Sequence, residues 1–274
     1  MDNFNDQKII DGFQGELSSI IEEDSISRAY KFFYYLEKIL EMPIIKKTIN
    51  SDSLLQYEKM VIKAKFIALP WLNKKEIYRL LNDHFYYSFE IEGYDLWRKV
   101  KEFLTEINSL EERDNIKKDI RKILLKNQTF ITHNNIKLGP REVAPSINNW
   151  FNDFFNKFGE EGFLDQIKLS EYLSNSNNVK NLSEEERRRI NTLFNLYKKL
   201  KFSSFTKEGL EEDITIVKPD GELGFIKQGR YEKVDNKIIE LSKKMASVYN
   251  IRYLASQYPP NSLERKAIIE EIER

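Results

Sequence analysis

The sequence contains no cysteine, which excludes disulfide bonds and any zinc or iron–sulfur site built on thiolates. A chain without cysteine also suits a reducing compartment. The first residues lack the basic patch and apolar run of a signal peptide, and no stretch approaches the ~18 uncharged apolar residues of a membrane helix. We therefore expect a cytoplasmic protein with no membrane partner.

Glycine and proline are scarce, with 10 and 7 among 274 residues. These residues punctuate turns, so their scarcity favours long helices over a sheet-rich fold. Hydrophobic residues make up 41% and aromatic residues 13% of the chain, which is too apolar for a disordered protein. We expect a packed core.

The chain has no excess of charge of either sign, because 44 Lys and Arg balance 44 Asp and Glu. Dedicated nucleic-acid binders usually carry a basic excess, since contacts with phosphates supply much of their affinity. Neutrality makes that function less favoured, although it leaves room for a local basic patch.

Apolar residues recur at every third or fourth position through most of the chain, which predicts amphipathic helices. In the C-terminal half, Ser183 and Glu186 have the spacing of a capping box, and Gly159 suits a helix C-cap. The predicted helices span 26–41, 53–68, 75–89, 95–108, 114–125, 145–158, 162–173, 184–201, 235–248 and 262–274. The predicted fold is mainly α, a multi-helix array.

Two short β-hairpins interrupt this pattern. Apolar and polar residues alternate on both sides of His133 and Asn134, which predicts one hairpin at about 129–138. A Pro-Asp-Gly turn predicts another at about 214–226. The best internal boundary lies just before the first hairpin. We predict an N-terminal helical region at 1–127 and a C-terminal helical region with both hairpins at 128–274.

The sequence carries no recognised catalytic or cofactor motif: no phosphate-binding loop, no dinucleotide-binding glycines, no nucleophile elbow and no zinc-protease helix. With only His84 and His133 in the chain, a multi-histidine metal site cannot form within one subunit. His84 could act as a base, but a histidine on the apolar face of a helix is usually structural. We expect no cofactor and no metal.

If the protein is an enzyme, Arg141 and Glu142 are the first candidates for its active site. Arg141 precedes a predicted helix N-terminus, whose free N–H groups attract anions. A phosphate or carboxylate could bind there. Alternatively, Arg141 pairs with a nearby acid and fixes the loop.

Two helices carry clusters of basic residues. One includes Arg121 and Lys122, and the other opens with Arg187, Arg188 and Arg189. These side chains could contact the phosphates of RNA or DNA. The simpler interpretation is a solvated helix face paired with acids of the N-terminal thirty residues.

Aromatic residues are dense at 85–89 and 150–158. Rings at helical spacing usually belong to the core. Segment 85–89, however, has rings on every side, and an exposed aromatic patch would mark an interface with another protein.

Two stretches, 138–150 and 182–213, resemble a family of uncharacterised proteins from the small-genome bacteria of the candidate phyla radiation. The resemblance covers roughly the C-terminal half. It implies a bacterial cytosolic setting. The family has no assigned activity, so the resemblance implies no functional residue.

Three functions remain, in order of preference. The first is a non-enzymatic helical scaffold or adaptor that binds an unidentified protein. The second is a nucleic-acid or ribosome-associated protein that uses the basic helix faces, with Arg121, Lys122, Arg187 and Arg188 on one side. The third is an enzyme with a carboxylate and arginine site near 141–142.

Overall fold

The computed structural model describes residues 4–204 and three strands at 214–217, 223–227 and 230–233. Residues Met1–Leu210 form one compact unit and Glu211–Arg274 a second. The predicted helices at 235–248 and 262–274 lie outside the described residues.

The first unit is an array of α-helices, which confirms the predicted fold class. Three 3-10 segments, Leu69–Trp71, Phe85–Glu90 and Glu160–Leu164, connect some of them. The α-helices are α1 Gln7–Glu22, α2 Ile26–Glu41, α3 Pro43–Thr48, α4 Ser51–Ile67, α5 Lys74–Asp83, α6 Leu96–Thr105, α7 Leu110–Lys126, α8 Ile147–Phe158, α9 Gln166–Asn175, α10 Asn177–Lys180 and α11 Glu184–Lys201.

Most helices begin where a polar side chain can bind the free backbone N–H groups of the first turn. Ser183 and Glu186 form the predicted capping box at the start of α11, and Asn73 with Glu76 forms another at the start of α5. Gly159 ends α8 with φ of +71°, a conformation that glycine adopts without the steric cost of a Cβ. These boundaries follow from local chemistry.

The predicted helix at 75–89 is wrong in its second half. His84 leaves helical geometry with φ of −132°, and Phe85–Glu90 continue as a 3-10 segment. A 3-10 helix has three residues per turn, so Phe85 and Ser88 fall on one side, and both are buried. The tighter winding buries one side of a segment whose aromatic residues would surround an α-helix.

The first hairpin lies further along the chain than predicted. Strands β1 Ile136–Leu138 and β2 Arg141–Val143 pair antiparallel, and Leu138 faces Arg141 across a two-residue turn. Gly139 takes the first central position of that turn with φ of +60°, where hairpin turns favour glycine. Residues 129–131 instead run beside 145–147, so the turn is not at His133 and Asn134.

In the second unit, the predicted hairpin is confirmed and extended by a third strand. Strand β3 Ile214–Val217 pairs antiparallel with β4 Leu223–Lys227, and β4 pairs with β5 Arg230–Lys233. The residues of the predicted Pro-Asp-Gly turn lie outside the described part.

The helices of the first unit share one hydrophobic core. Buried side chains before residue 127, such as Leu81 and Ile120, belong to the same cluster as Trp150 and Phe194 beyond it. Asn127 itself is buried and donates through Nδ2 to the carbonyl oxygen of Leu81 at 2.9 Å. The boundary predicted at 127 therefore falls inside the first compact unit.

The N-terminal residues, for which the sequence analysis predicts no helix, form helix α1. Its buried side chains Ile10, Leu17 and Ile20 pack into the core. Among the helices that the structure describes, none combines the length and hydrophobicity of a membrane span.

Candidate protein-binding surface

Three aromatic rings lie together on the surface where α2 meets the 3-10 segment after α4. The ring of Tyr30 lies 6.3 Å from that of Tyr34, nearly parallel to it, and 5.9 Å from that of Trp71, measured between centroids. Tyr30 is half-buried, whereas Tyr34 is 48% and Trp71 55% exposed. We name these three residues the aromatic patch.

Local sequence explains why α2 presents these rings. Tyr30 and Tyr34 are four residues apart and share one side of the helix. The opposite side carries Ala29, Phe32 and Leu36, which are buried in the core. The core side is already filled, so the remaining aromatic residues of α2 must face outward.

Trp71 is held in place by its neighbours along the chain. The 3-10 segment Leu69–Trp71 buries Leu69, and Leu72 immediately after it is also buried. These two anchors leave Trp71 between them directed away from the core.

Further exposed apolar side chains extend the surface. Tyr35 is 59% exposed on α2, and Met42 and Ile44 follow it at 44% and 47%. Single exposed apolar residues are common on monomeric proteins, but contiguous groups mark interaction sites. Tyr34 and Trp71, joined through the ring of Tyr30, are such a group.

Lysines alternate with these rings. Lys38 places its Nζ 4.3 Å from the centroid of the Tyr34 ring, a favourable cation–π arrangement. Lys31 lies one turn before Tyr34 and Tyr35 and is exposed. The aromatic patch together with Lys31, Tyr35 and Lys38 is called here the aromatic–lysine face.

A cleft of about 760 Å³ opens between α2, α4 and α5, next to this face. Its floor is apolar, and its edge includes Glu37 of α2, which pairs with Lys65 of α4. Lys65 also lies 5.3 Å from the ring of Phe33, which in turn contacts Tyr30. Side-chain contacts thus connect the cleft to the aromatic patch.

His84 lines the far side of this cleft. Burial lowers the pKa of its imidazole below the usual value, and the nearby Asp83 only partly opposes this effect. The ring is therefore neutral at pH 7. His84 is the C-cap residue of α5 and lies beside apolar side chains, which fits a structural role better than that of a catalytic base.

The basic residues of α7 are partly used inside the molecule. Lys117 is buried and donates to the carbonyl oxygen of Phe202 at 3.2 Å, and burial lowers its pKa to about 8. Arg121 is half-buried. The pKa of Glu161 is lowered mainly by Lys201 and, to a smaller extent, by the positive charge of Arg121. Lys122 is exposed and pairs with Asp119 on the same helix at 3.2 Å.

The three arginines that open α11 point in different directions. Arg187 donates to the carbonyl oxygen of Lys180 at 2.6 Å, while Arg188 is exposed. Arg189 pairs with Glu185, donates to Ile131 and lies over the ring of Tyr86 at 5.1 Å. Helix geometry separates successive side chains by about 100°.

The two basic clusters are not adjacent. Lys117, one turn before Arg121 on α7, binds the carbonyl oxygen of Phe202 at the C-terminal end of α11, whereas Arg187 and Arg188 lie near the N-terminal end of that helix. The structure therefore does not place Arg121 and Lys122 directly beside Arg187 and Arg188.

Arg141 and Glu142 lie on β2 with both side chains exposed. The N-terminus of α8 is capped by Ser146, whose Oγ accepts from the backbone N–H of Asn149 at 3.3 Å. Arg141 thus lies five residues before the cap, on a separate strand. His133 is exposed, and its backbone N–H donates to Glu186.

Within the described part of the chain, no three His, Asp or Glu side chains gather as metal ligands. Comparison of the chain with protein-family models, curated protein sequences and solved structures finds no match. The molecule's own surface therefore supplies the evidence of function.

The sequence reasoning missed the aromatic patch, although a usable signal was present. Five of the six residues 30–35 are aromatic, too many for one buried stripe. The same density of rings at 85–89 suggests an exposed patch there, but 3-10 winding buries Phe85. The rings of Trp150, Phe151 and Phe154 on α8 are buried in the core.

Proposed function

We propose that this protein is a non-enzymatic helical adaptor of the cytoplasm that binds another protein through the aromatic–lysine face. The observation that carries the proposal is the contact of two exposed rings, Tyr34 and Trp71, with the recessed ring of Tyr30 between them. Tyrosine and tryptophan are the residues most enriched at the energetic centres of protein interfaces.

The physical advantage of these rings is low entropy cost. Each aromatic side chain has only two rotatable bonds, so little freedom is lost on binding, while a large apolar area leaves water. Tyr30 contacts both Tyr34 and Trp71, which restricts their motion before a partner arrives. Such preorganisation favours tight binding.

The other two functions have less support. Among the six basic residues we singled out, Arg121 and Arg189 are half-buried, and Arg187 binds a backbone carbonyl. Arg141 and Glu142 lie on an exposed hairpin. A nucleic-acid site needs accessible cations, and an enzyme site needs convergent polar groups in a pocket.

Site-specific photo-crosslinking in lysate of the source organism tests the proposal. Tyr35 is replaced by a photoreactive phenylalanine analogue, and the matched control places the same analogue at Phe130, which is 57% exposed on another part of the chain. We expect one or a few proteins to crosslink at position 35 and not at position 130.

The same experiment on the Trp71→Ala variant should abolish these products, because the patch loses its largest ring. Identical crosslinked proteins from positions 35 and 130, or products that persist without Trp71, would contradict the proposal. Trp71 is more than half exposed, so the variant should keep its fold, which circular dichroism verifies.

A further inference from the structure

The outer side of α2 alternates lysines and aromatic residues. Three residues follow Lys31 at helical spacing: Tyr34 is three, Tyr35 four and Lys38 seven positions later. This spacing places all four on one arc of the helix. All four are exposed, and the buried residues of α2 occupy the opposite arc. Charge and apolar area are thus interleaved on one surface.

This surface is positive in a chain whose net charge is zero. The outer arc of α2 carries two exposed lysines, Lys31 and Lys38, and one exposed glutamate, Glu41. The other glutamate of this part of α2, Glu37, is already paired with Lys65. Among the described residues, neither Lys31 nor Lys38 forms an ion pair, so both charges are available to a partner.

We infer that the aromatic–lysine face binds an acidic protein segment in which aspartate or glutamate alternates with large apolar side chains. This inference rests on the proposed function and names the chemistry of the partner. The apolar side chains would cover Tyr30, Tyr34 and Trp71, and the carboxylates would approach Lys31 and Lys38.

Electrostatic complementarity is the reason for this choice. Opposite charge steers a partner toward the site and excludes like-charged competitors, even where each exposed pair adds little affinity. Desolvated apolar contact with the rings then supplies most of the binding free energy.

A membrane of anionic lipids is the main rival, because lysine and aromatic residues also suit lipid headgroups. The relative burial of the three rings favours a narrow segment. Tyr30 is less exposed than Tyr34 and Trp71 on either side, so the patch is recessed, and a single apolar side chain can reach Tyr30 more closely than a flat membrane surface can.

Trp71 provides the readout. It is 55% exposed, whereas Trp97 is half-buried and Trp150 is 1% exposed. Covering the patch should shift the tryptophan emission to shorter wavelength and reduce quenching by acrylamide. The Trp71→Phe variant should lose this optical change and bind a labelled peptide more weakly by fluorescence polarisation, because the smaller ring offers less apolar area to the partner.

Three probes separate the possibilities. The first is a synthetic peptide that alternates Leu or Phe with Asp or Glu. The second has Lys in place of every acid, and the third is a vesicle of phosphatidylcholine with phosphatidylserine. We expect the acidic peptide to bind, the lysine peptide to bind at least tenfold more weakly, and the vesicle not to bind.

Charge reversal on the protein tests the lysines directly. The Lys31→Glu/Lys38→Glu variant should bind the acidic peptide about tenfold more weakly, and ~1 M salt should weaken wild-type binding because the Debye length falls to ~3 Å. The control Lys118→Glu/Lys126→Glu makes the same change of net charge on exposed positions of α7, one in mid-helix and one in the last turn. It should bind like the wild type.

The outcomes distinguish this inference from the proposed function. Equal binding of both peptides, equal loss in both charge-reversal variants, or binding to the vesicle in preference to the peptide would overturn the acidic partner. So would a lack of peptide binding. If a protein still crosslinks at position 35 in a manner that depends on Trp71, the adaptor function stands and only the partner's chemistry is wrong.

Discussion

The amino group of Lys99, a fully buried residue of α6, lies 2.9 Å from the Oδ1 of Asp24 in the turn between α1 and α2. A second carboxylate, Glu102, is 3.6 Å away, and Arg98 also binds Asp24 at 2.6 Å. Asp24 has φ of +49°, a left-handed conformation that is uncommon for residues other than glycine. The ion pair ties the turn between α1 and α2 to α6.

We predict that Asp24→Asn lowers the free energy of unfolding by about 2 kcal/mol, because a buried lysine loses its nearest counter-ion. Asparagine tolerates the left-handed conformation, so the substitution removes charge without adding backbone strain. Urea denaturation measures the change.

The double variant Asp24→Asn/Lys99→Met is the control for this pair. Methionine removes the buried charge and retains most of the volume, so the double variant should be more stable than Asp24→Asn alone. An Asp24→Asn protein as stable as the wild type would show that Glu102 suffices for Lys99.

Gly162 and Gly15 should respond in opposite ways to alanine. A Cβ on Gly162 would lie 2.8 Å from the Cβ of Phe158 and 3.2 Å from the ring of Phe154, whereas one on Gly15 meets nothing within 4 Å. We expect Gly162→Ala to destabilise the protein by about 1–3 kcal/mol through overpacking. Gly15→Ala in α1 should stabilise it by about 0.5–1 kcal/mol through helix propensity.

Thermal unfolding of the two variants checks this contrast. The chemical change is identical in both, so the difference between them isolates the space around each glycine. A Gly162→Ala variant that unfolds at or above the wild-type temperature would mean that Phe154 and Phe158 of α8 can move away from the added methyl group without loss of stability.

The sequence predicted those features that depend on residues close together in the chain. The capping box of Ser183 and Glu186 is one example, because its partners are three residues apart and its chemistry is local. The amphipathic helices are another example. Apolar residues that recur every three or four positions fall on one side of an α-helix, whereas a β-strand would need a repeat of two.

Features made by distant residues were not predictable. Lys99 gives no sign in the sequence that it is buried, since its counter-ion Asp24 is seventy-five positions away. The density of rings at 30–35 does indicate exposed aromatic residues, but their contact with Trp71 is not predictable, because Tyr30 and Trp71 meet only when α2 packs beside the 3-10 segment after α4. The sequence shows each of these residues, but only the tertiary fold brings Lys99 to Asp24 and Tyr30 to Trp71.

Glu186 should make stability depend on pH. Burial acts to raise the pKa of its carboxyl group, but hydrogen bonds from the backbone N–H groups of His133, at 2.7 Å, and Ser183, at 2.9 Å, outweigh burial and lower it below 4.5. A pKa lowered by folding means that the ionised group stabilises the native state above its unfolded pKa. That contribution is lost as pH falls through the folded value.

We therefore expect Glu186→Gln to be less stable than the wild type by about 1–2 kcal/mol at pH 7, with a smaller difference at pH 3. Guanidinium denaturation across this range measures the gap. The exposed Glu184 on the same turn provides the control, since Glu184→Gln should change stability little at either pH. A gap that is constant with pH would rule out the ionised carboxylate as the source.

Arg188 and Arg189 are neighbours in sequence with different structural roles, and this decides how the nucleic-acid hypothesis should be tested. Arg189 is bound to Glu185 and Ile131 and covers the ring of Tyr86, so Arg189→Ala should cost about 1–2 kcal/mol of stability. Arg188 is exposed, and Arg188→Ala should change stability by less than about 0.5 kcal/mol. A variant that changes all three arginines would mix loss of fold with loss of binding.

The clean variant is Arg188→Glu combined with Lys122→Glu, because both side chains are exposed. If the protein is an adaptor, binding of labelled single-stranded RNA should be negligible at about 0.15 M salt in wild type and variant alike, since the accessible cations are few and separated. RNA binding by the wild type that falls steeply with salt and disappears in this variant would instead favour the nucleic-acid function. Because the substitutions avoid Arg121 and Arg189, that result could not be attributed to unfolding.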